Sequence, residues 1–386
     1  MRICLLTPRY PFPENGGDVL RINAIARYLK SKGHYLILVS FIDEYHFVSD
    51  SDYKVYDEIV TVRFNKKVSL LNTVLYFLSG RPMQCGFYYS SNFSKKFKGV
   101  ILKDKPDLYI SHMARMETYL RKYHLESKSI VEMTDALSKT YFLSSKSKGI
   151  SLKKFIYFFE KNRIRKIEKK IIDLYPKVVL VSENDIKYLG NGKSLAFHTN
   201  GIDIYENTAE YDPNKICFVG NMRTLQNQEA VTSFVKNIFP LILEKNPNAQ
   251  FHIVGAEPPA FIKDLANEKN IYVTGFVNSV EEYIQNSCLL VAPVTIAAGI
   301  QNKVLIGMGC KIPVVLTSLI AGAITGIKSG ENCYIEDDYE RFAEKCLLLM
   351  NDKDERLKIA ENGLELVNDQ YSWVKRLEGY ENISDK

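Results

Sequence analysis

The sequence predicts an α/β protein with two Rossmann-like β/α/β domains that face each other across a cleft. Its 386 residues suit two domains of roughly 150–200 residues each. Short apolar runs bounded by Gly, Pro or Asn alternate with longer stretches of helical periodicity, and one such series lies at each end of the chain. Alternating strands and helices favour parallel sheets, which bind ligands at the carboxyl ends of their strands.

The first series begins at the amino terminus. Residues 2–7 (RICLLT) predict a strand, and a loop rich in Pro and Gly follows it. Apolar residues recur at helical spacing over residues 18–32, Gly33 ends this helix, and residues 35–41 (YLILVSF) predict the next strand. This order indicates a β-loop-α-β unit that builds a parallel sheet.

The second series begins near Lys215 and has the same alternation. Residues 197–203 (FHTNGID) have the character of a linker, so we expect domains at 1–198 and 199–370. Residues 371–386 predict a terminal helix that returns to the first domain. The elements expected in the second domain are strands at 215–221, 251–256, 271–276, 289–294 and 313–317, and helices at 227–245 and 300–309.

Composition excludes several classes of protein. The net charge is a modest +6, and no basic motif lies on a recognisable nucleic-acid-binding element, so we expect no nucleic-acid partner. The seven cysteines form no C-x-x-C pair, which indicates a reduced cytoplasmic chain with buried thiols and neither a disulfide framework nor a zinc site. The longest uncharged stretch, 312–327, contains Pro313 and is shorter than the roughly 20 residues of a membrane span.

A basic and aromatic stretch lies within residues 139–170. Lys and Arg alternate there with Phe, Tyr and Ile, as in SLKKFIYFFEKNRIRKIEKK. One interpretation is a long amphipathic helix that packs on its own domain. The other adds contact of residues 151–175 with an anionic membrane surface, which would make the protein peripheral on the inner face of the cell membrane.

Glycines mark the first candidate binding loop. Asn15, Gly16 and Gly17 lie between the first strand and the first helix, where backbone amides and the helix N-terminus favour a phosphate or a sugar. A tight turn that needs glycine explains the same pattern. The motif is not G-x-G-x-x-G, so a dinucleotide cofactor is not favoured.

Polar residues open a helix in the second domain. Gly299, Ile300, Gln301, Asn302 and Lys303 follow a predicted strand, and their amides, carboxamides and ammonium group suit a diphosphate. An ordinary solvated helix start is the alternative.

Three further polar residues follow predicted strands. The guanidinium of Arg223 matches phosphate geometry, although a solvent-exposed loop arginine is the alternative. His112 is a candidate catalytic residue or a structural histidine. Asp135 is a candidate for orienting an acceptor hydroxyl, or for capping the helix that follows it.

Several segments, taken in order, resemble the GT-B glycosyltransferases of family 4, most closely their polysaccharide-cluster sugar transferases. The similarity covers nearly the whole chain. The segments that carry it are TPRYPFPENGGDVLRINAIARYLKSKGH (7–34), VEMTDALSKTY (131–141), TNGID (199–203), FVGNM (218–222), FHIVGAEP (251–258), VTGFV (273–277), GIQNKVL (299–305) and GCKIPVV (309–315).

The resemblance implies an enzyme that transfers a sugar with retention, with neither a metal nor a cofactor, from a nucleotide sugar. It assigns the donor, with UDP or GDP first, mainly to the second domain, and a surface polysaccharide, lipid-linked glycan or glycoconjugate acceptor mainly to the first. The implied catalytic residues are His112, Asp135, Arg223 and Lys303. The implied donor-binding residues are Gly16, Gly17, Gly220, Asn221, Arg223, Gly255, Phe276, Val277, Gly299, Ile300, Gln301, Asn302 and Lys303.

The chain departs from the family pattern at four positions. The two family glutamates, eight residues apart, fall at Ala298 and Ile306, and the usual Arg and Lys of the first loop fall at Asn221 and Gln226. Asn302, Lys303 and Arg223 are then left to carry the phosphate charge. Two alternatives therefore stay open: a non-catalytic GT-B module that binds a partner transferase or a glycan, and a GT-B sugar-nucleotide epimerase.

Overall fold

The computed structural model divides the chain into two compact α/β units. The N-terminal unit comprises residues 1–200 and 376–386, and the C-terminal unit comprises residues 201–375. The prediction placed the boundaries after residues 198 and 370. The residues that the structure describes are 1–14, 16–145, 152–190, 192–205, 211–295 and 301–383, with backbone only at 152–155.

The N-terminal unit has a parallel sheet, to which the described residues contribute seven strands. The strand order is β3-β2-β1-β4-β5-β6-β7, so the order reverses between β1 and β4. Strands β1, β4 and β5 are almost entirely buried, as expected for a parallel sheet covered on both faces. The strands are β1 (Arg2–Thr7), β2 (Tyr35–Ile42), β3 (Glu58–Arg63), β4 (Leu108–His112), β5 (Ser129–Thr134), β6 (Lys177–Leu180) and β7 (Leu195–Phe197).

Helices connect these strands and cover both faces of the sheet. They are α1 (Gly17–Ser31), α2 (Lys66–Leu78), α3 (Met83–Phe87), α4 (Ser91–Asp104), α5 (Glu117–Lys122), α6 (Leu137–Ser145), α7 (Leu152–Leu174) and α8 (Glu183–Leu189).

Helix α7 covers most of the basic and aromatic stretch. Its buried residues Glu160, Ile164, Glu168 and Ile171 recur at helical spacing and face the unit. Among the described residues, no helix is long and apolar enough to cross a membrane.

The C-terminal unit has a second parallel sheet, with six strands in its described part. The order β10-β9-β8-β11-β12-β13 reverses between β8 and β11. The strands are β8 (Asp212–Val219), β9 (Gln250–Val254), β10 (Ile271–Gly275), β11 (Ser287–Ala292), β12 (Val314–Leu316) and β13 (Tyr334–Ile335).

The helix predicted over 227–245 is interrupted. Residues Phe234–Ile238 form a π-helical turn between α9 and α10, and Pro240, the second residue of α10, has no N–H to donate. The helices of this unit are α9 (Leu225–Ser233), α10 (Phe239–Lys245), α11 (Ala260–Lys263), α12 (Val280–Gln285), α13 (Asn302–Gly309), α14 (Ser318–Ala321), α15 (Tyr339–Asn351), α16 (Lys353–Gln370) and α17 (Trp373–Arg376).

The segment after α16 returns to the N-terminal unit, as predicted, but the helix expected over 371–386 is too long. Only the single turn α17 is helical in the described part of this segment, and turns follow it. Lys177 explains the irregular path, because its ammonium donates to the carbonyls of Gly379 (2.7 Å), Tyr380 (2.9 Å) and Asn382 (3.3 Å). These carbonyls are not available to a regular helix.

A buried charged cluster lies beneath this segment. The Arg21 guanidinium contacts both carboxylate oxygens of Glu132, at 3.1 and 3.0 Å, and the Tyr380 hydroxyl donates to Glu132 over 2.9 Å. Arg21 also donates to the His198 carbonyl (2.7 Å) and to the Asn200 side chain (3.0 Å). The cluster therefore joins α1 and β5 to two other parts of the N-terminal unit. One is residues 198–200, after which the chain leaves the unit, and the other is Tyr380, after the chain has returned to it.

Candidate active site

The predicted residues of the N-terminal unit gather where its strand order reverses. Gly16 and Gly17 follow β1, His112 is the last residue of β4, and Asp135 follows β5. Parallel sheets of this kind bind ligands at the carboxyl ends of the strands beside such a reversal. The structure thus brings these four residues to one edge of the sheet.

His112 lies in an unusual environment at this edge. Its side chain is buried, and neither ring nitrogen has a hydrogen-bond partner among the described residues. Burial lowers its pKa to about 4, although the carboxylates of Glu132 and Asp18 act in the opposite direction. A neutral imidazole with both nitrogens unused is suited to hydrogen bonding with a hydroxyl group of a ligand.

Asp135 does not cap the helix that follows it. The amides at the start of α6 are satisfied from elsewhere: Ala136 N donates to Asp185 (3.1 Å) and Ser138 N donates to Glu168 (3.0 Å). The capping interpretation is therefore wrong. Burial, and then the nearby charge of Asp185, raise the pKa of Asp135, whose carboxylate forms no hydrogen bond in the described part of the chain.

The glycine loop starts helix α1. Gly16 has φ 129°, and a Cβ atom there would lie 2.9 Å from Nη2 of Arg9. Arg9 forms an ion pair with Asp18 in the first turn of α1. The negative charge of Asp18 acts on the imidazole of His112 and opposes the lowering of its pKa by burial. Asn15 lies outside the described residues.

The predicted residues of the C-terminal unit also lie near a reversal of strand order. Gly220, Asn221 and Arg223 follow β8, and Lys303 lies in the first turn of α13, which the chain enters after β11. Gly299, Ile300 and the family-glutamate position 298 lie outside the described residues.

Lys303 is a buried cation without a carboxylate partner in the described structure. Its ammonium donates to Asn227 Oδ1 over 2.5 Å and lies 4.3 Å from the ring centroid of Phe218. Burial lowers its pKa to about 8, and no acidic group offsets this effect. A buried ammonium with only a neutral acceptor and a ring gains from an anion.

Asn227 connects Lys303 to the loop after β8. Its Nδ2 donates to the Asn221 carbonyl over 2.9 Å, and the Asn221 side chain accepts from Arg223 N over 2.9 Å. One hydrogen-bonded chain therefore runs from the start of α13 to Arg223.

Two glycines allow the loops after β8 and β9 to approach closely. A Cβ atom on Gly255 would lie 1.8 Å from the Gly220 carbonyl oxygen, and one on Gly220 would lie 2.5 Å from Asn227. Met222 N donates to Ala256 O (3.0 Å), and Gly255 N donates to Gly275 O (3.2 Å). The loops after β8, β9 and β10 are thus neighbours joined by backbone hydrogen bonds.

Arg223 is exposed and forms an ion pair with Glu257, which follows β9. Exposed ion pairs contribute little to stability, so the guanidinium is free to exchange this carboxylate for a phosphate at small cost. Arg223 therefore lies at the surface and is not part of the apolar core.

The other predicted donor residues differ in exposure. Phe276 follows β10 and is 76% exposed, while Val277 packs partly on the core. Gln301 is buried and Asn302 is exposed at the start of α13. Ile306, at the second family-glutamate position, packs partly against the apolar core. No group of three or more potential metal-ligating side chains occurs within the described residues.

Sequence reasoning missed three residues that organise these sites. Asn227 looked like an ordinary helical residue, and no local pattern indicates its contact with Lys303. Glu132 had a visible signal, since it is a carboxylate inside the apolar strand SIVEMT. Glu257 follows a predicted strand directly, but its pairing with Arg223 depends on the neighbouring loop.

Comparisons of sequence identify a known domain. Residues 213–352 match the family model described as Glycosyl transferases group 1. A Klebsiella pneumoniae protein named "Uncharacterized 44.6 kDa protein in cps region" is 22% identical over 391 residues, which cover 97% of each chain.

Comparisons of structure identify the same fold in glycosyltransferases. Anabaena Alr3699/HepE in complex with UDP has a TM-score of 0.58 at 12% identity, with 98% of each chain covered. Sucrose-phosphate synthase from Thermosynechococcus elongatus has a TM-score of 0.57 at 13% identity, covering 98% of this chain and 96% of that one. WaaG, a glycosyltransferase involved in lipopolysaccharide biosynthesis, has a TM-score of 0.54 at 12% identity and full coverage of both chains.

The fold and the matched domain define the class of protein. The two parallel-sheet units have the GT-B fold, and the C-terminal unit contains a group 1 glycosyltransferase domain. The predicted fold class and the predicted enzyme class, glycosyltransferase, are thereby confirmed. The narrower resemblance to family 4 and its polysaccharide-cluster subgroup stays a prediction.

Proposed function

We propose that this chain transfers a sugar from a nucleoside diphosphate sugar to a surface-polysaccharide, lipid-linked glycan or glycoconjugate acceptor. The observation that carries the proposal is Lys303, a buried ammonium without a described carboxylate partner at the start of α13. A diphosphate supplies the negative charge that this group lacks.

The C-terminal unit would bind the donor. Lys303 and the first amides of α13 hold the diphosphate, and Arg223 joins them by releasing Glu257. Gly220 and Gly255 allow the loops that carry these groups to pack closely together, and the exposed ring of Phe276 offers a surface on which a base stacks. UDP is the first nucleotide to test, since similar folds occur with UDP, and GDP is the second.

The cationic groups also support the chemistry. As the bond between the sugar and the diphosphate breaks, negative charge grows on the leaving phosphate, and Lys303 and Arg223 stabilise it. This charge compensation supports a reaction that needs no metal. Retention at the anomeric carbon follows from the family resemblance, and NMR of the anomeric proton in the product tests it.

The N-terminal unit would bind the acceptor. Neutral His112 hydrogen-bonds a hydroxyl group, and Asp135, whose carboxylate does not cap α6, orients the attacking hydroxyl. A glycan acceptor is consistent with the cps-region relative and with WaaG.

A thermal-shift screen against UDP, GDP, CMP, dTDP and their sugar conjugates tests the donor site. A ligand that binds only the native state raises the melting temperature, by several degrees at saturating concentration. We expect one nucleotide to do so, and Lys303→Met to abolish the shift.

Lys215→Met is the matched control. Lys215 is equally buried on β8 and lies 5.1 Å from the Tyr283 ring centroid, so its loss perturbs the same unit without touching the proposed site. A shift that survives Lys303→Met, or that disappears in Lys215→Met as well, contradicts the assignment.

A second candidate is a GT-B module that binds a partner transferase or a glycan without catalysis. Ile306 favours it, because an apolar side chain partly packed in the core replaces a family glutamate. Nucleotide binding without turnover of any nucleotide sugar, with acceptor glycans supplied, would support this candidate over the first.

A further inference from the structure

Helix α2 has an apolar outer face. Its six exposed apolar side chains recur at helical spacing, are each at least 47% exposed, and are called the α2 face below. Two lysines, Lys66 and Lys67, begin the helix. The residues of the α2 face are Val68, Leu70, Leu71, Val74, Leu75 and Leu78.

The inner face of α2 carries polar side chains together with the half-buried aromatic residues Tyr76 and Phe77. Ser69 is buried, and Asn72 donates to the Tyr89 carbonyl over 3.0 Å. A Cβ atom on Gly86 of α3 would lie 2.6 Å from the Asn72 carbonyl oxygen, so α2 and α3 are in close backbone contact. The orientation of α2 is therefore fixed by specific contacts, and its aliphatic side chains point outward, unlike those of an ordinary surface helix. Such a contiguous exposed apolar face marks an interaction surface.

A basic cavity lies at the C-terminal end of α2. Its volume is about 630 Å³, and among the described residues no carboxylate lines it. Arg163 of α7 connects the cavity to α2, because its guanidinium lies 4.5 Å from the ring centroid of Phe77. The cations that line it are Arg81, Arg121, Lys122, Arg163, Lys166 and Lys170.

Only some of these cations are neutralised. Arg121 and Arg163 form ion pairs with Glu117 and Glu160, respectively. For Arg81, Lys122, Lys166 and Lys170, the described structure contains no ion pair. The cavity thus presents excess positive charge directly beside the apolar face.

We propose that the α2 face and the basic cavity together dock the protein on an anionic phospholipid bilayer. The leucines and valines lie among the acyl chains at the interface, and the cavity takes lipid phosphate groups. A second copy of the chain fits less well, because a symmetric contact through the same face brings identical lysines and arginines together. Of the stretch 151–175, Arg163, Lys166 and Lys170 contribute charge to this surface, while α2 supplies its apolar part.

Co-sedimentation with vesicles tests the proposal without reference to sugar transfer. We expect the full chain to sediment with vesicles of phosphatidylcholine mixed with phosphatidylglycerol, and much less with phosphatidylcholine alone. Added salt should weaken the binding. The variant Lys166→Gln/Lys170→Gln should lower the partition coefficient about 30-fold, from about 1 kcal/mol for each cation at the membrane surface. Leu71→Gln/Leu75→Gln should lower it roughly tenfold or more.

Helix α4 offers matched controls. Leu102 is 65% exposed there, so Leu102→Gln removes an equally exposed leucine, and Lys95→Gln/Lys96→Gln removes two exposed lysines. Both controls should bind vesicles like the parent protein, and circular dichroism should show that every variant is folded. Equal binding to neutral vesicles, no binding to either kind, or an unchanged partition of the α2 variant overturns the proposal. So does a dimer in light scattering that Leu71→Gln/Leu75→Gln dissociates, because a second copy then covers the face.

Discussion

His112 gives the N-terminal unit a defined dependence on pH. Its pKa of about 4 in the native state lies below the ordinary value of 6.5, so between these values the unfolded chain binds a proton that the native chain does not. Stability therefore falls as the pH falls through this window, by about 2 kcal/mol between pH 7 and pH 5 for this group.

The substitution His112→Gln should flatten this dependence. We expect the free energy of urea unfolding to fall less between pH 7 and pH 5 in the variant than in the parent protein. Some dependence should remain, because burial also lowers the pKa of His252 to about 4. His124→Asn, which replaces an exposed histidine at positive φ, should keep the parent slope. An unchanged slope in His112→Gln would show that this imidazole binds a proton as readily in the native state as in the unfolded chain.

Arg223 and Glu257 should act in opposite directions on nucleotide binding. The carboxylate competes with the phosphate, so Glu257→Gln should tighten the Kd of the stabilising nucleotide by up to about fivefold, whereas Arg223→Gln should weaken it. Isothermal titration measures both. Glu361→Gln removes a similar surface ion pair, with Lys311, and should leave the Kd unchanged. Weaker binding in Glu257→Gln would mean that Glu257 contacts the ligand favourably.

The elements themselves were largely predictable because their signals are local. The buried strands are apolar runs with turn residues at their ends, and the first helix begins and ends near glycines. The predicted positions 2–7 and 35–41 correspond to the observed strands β1 and β2. The return of the chain after residue 370 was expected, but Lys177 determines its irregular path, and no neighbouring residue indicates that contact.

The candidate site was predictable only in part. Residues directly after strands, such as His112 and Arg223, were found because the carboxyl ends of parallel strands meet. Their partners were not found, since Asn227 contacts Lys303 across 76 positions of sequence, and the Arg21–Glu132 pair spans 111. The exposure of the aliphatic side chains of α2 was not predicted, because periodicity alone does not show which face of a helix is covered.

The loops after β8 and β9 should tolerate no side chain where their backbones approach. Gly255→Ala places a Cβ atom against the Gly220 carbonyl at a φ of 153°, so the loop must move. We expect a loss of about 3 kcal/mol in the unfolding of the C-terminal unit, together with loss of the nucleotide-induced shift. Gly99→Ala is the control: a Cβ atom there meets nothing within 4 Å in α4, so the change should stabilise by up to about 1 kcal/mol. Equal effects of the two variants would contradict the close approach.

At the scale of the whole molecule, the chain enters the C-terminal unit once and leaves it once. Tyr380, which follows this return, donates to the buried carboxylate of Glu132. Tyr380→Phe leaves that carboxylate one donor short and should destabilise the protein by about 2 kcal/mol in urea unfolding. Tyr339→Phe removes a hydroxyl from a 44% exposed ring and should have little effect. An unchanged free energy of unfolding in Tyr380→Phe would show that Arg21 alone satisfies the hydrogen bonding of Glu132.

The cluster of Arg21, Glu132, Lys177 and Tyr380 has a consequence for biosynthesis. The carbonyls of Gly379, Tyr380 and Asn382 accept from the Lys177 ammonium, and these residues are synthesised only after the entire C-terminal unit. At a translation rate of 5–20 residues per second, roughly 10–40 s pass between synthesis of the first 200 residues and synthesis of the segment that returns to them. During that interval the nascent N-terminal unit lacks the acceptors of the Lys177 ammonium and the Tyr380 hydroxyl that donates to Glu132, so we expect it to be less stable than in the complete chain. We therefore expect the N-terminal unit to reach its full stability only after the second unit has been synthesised.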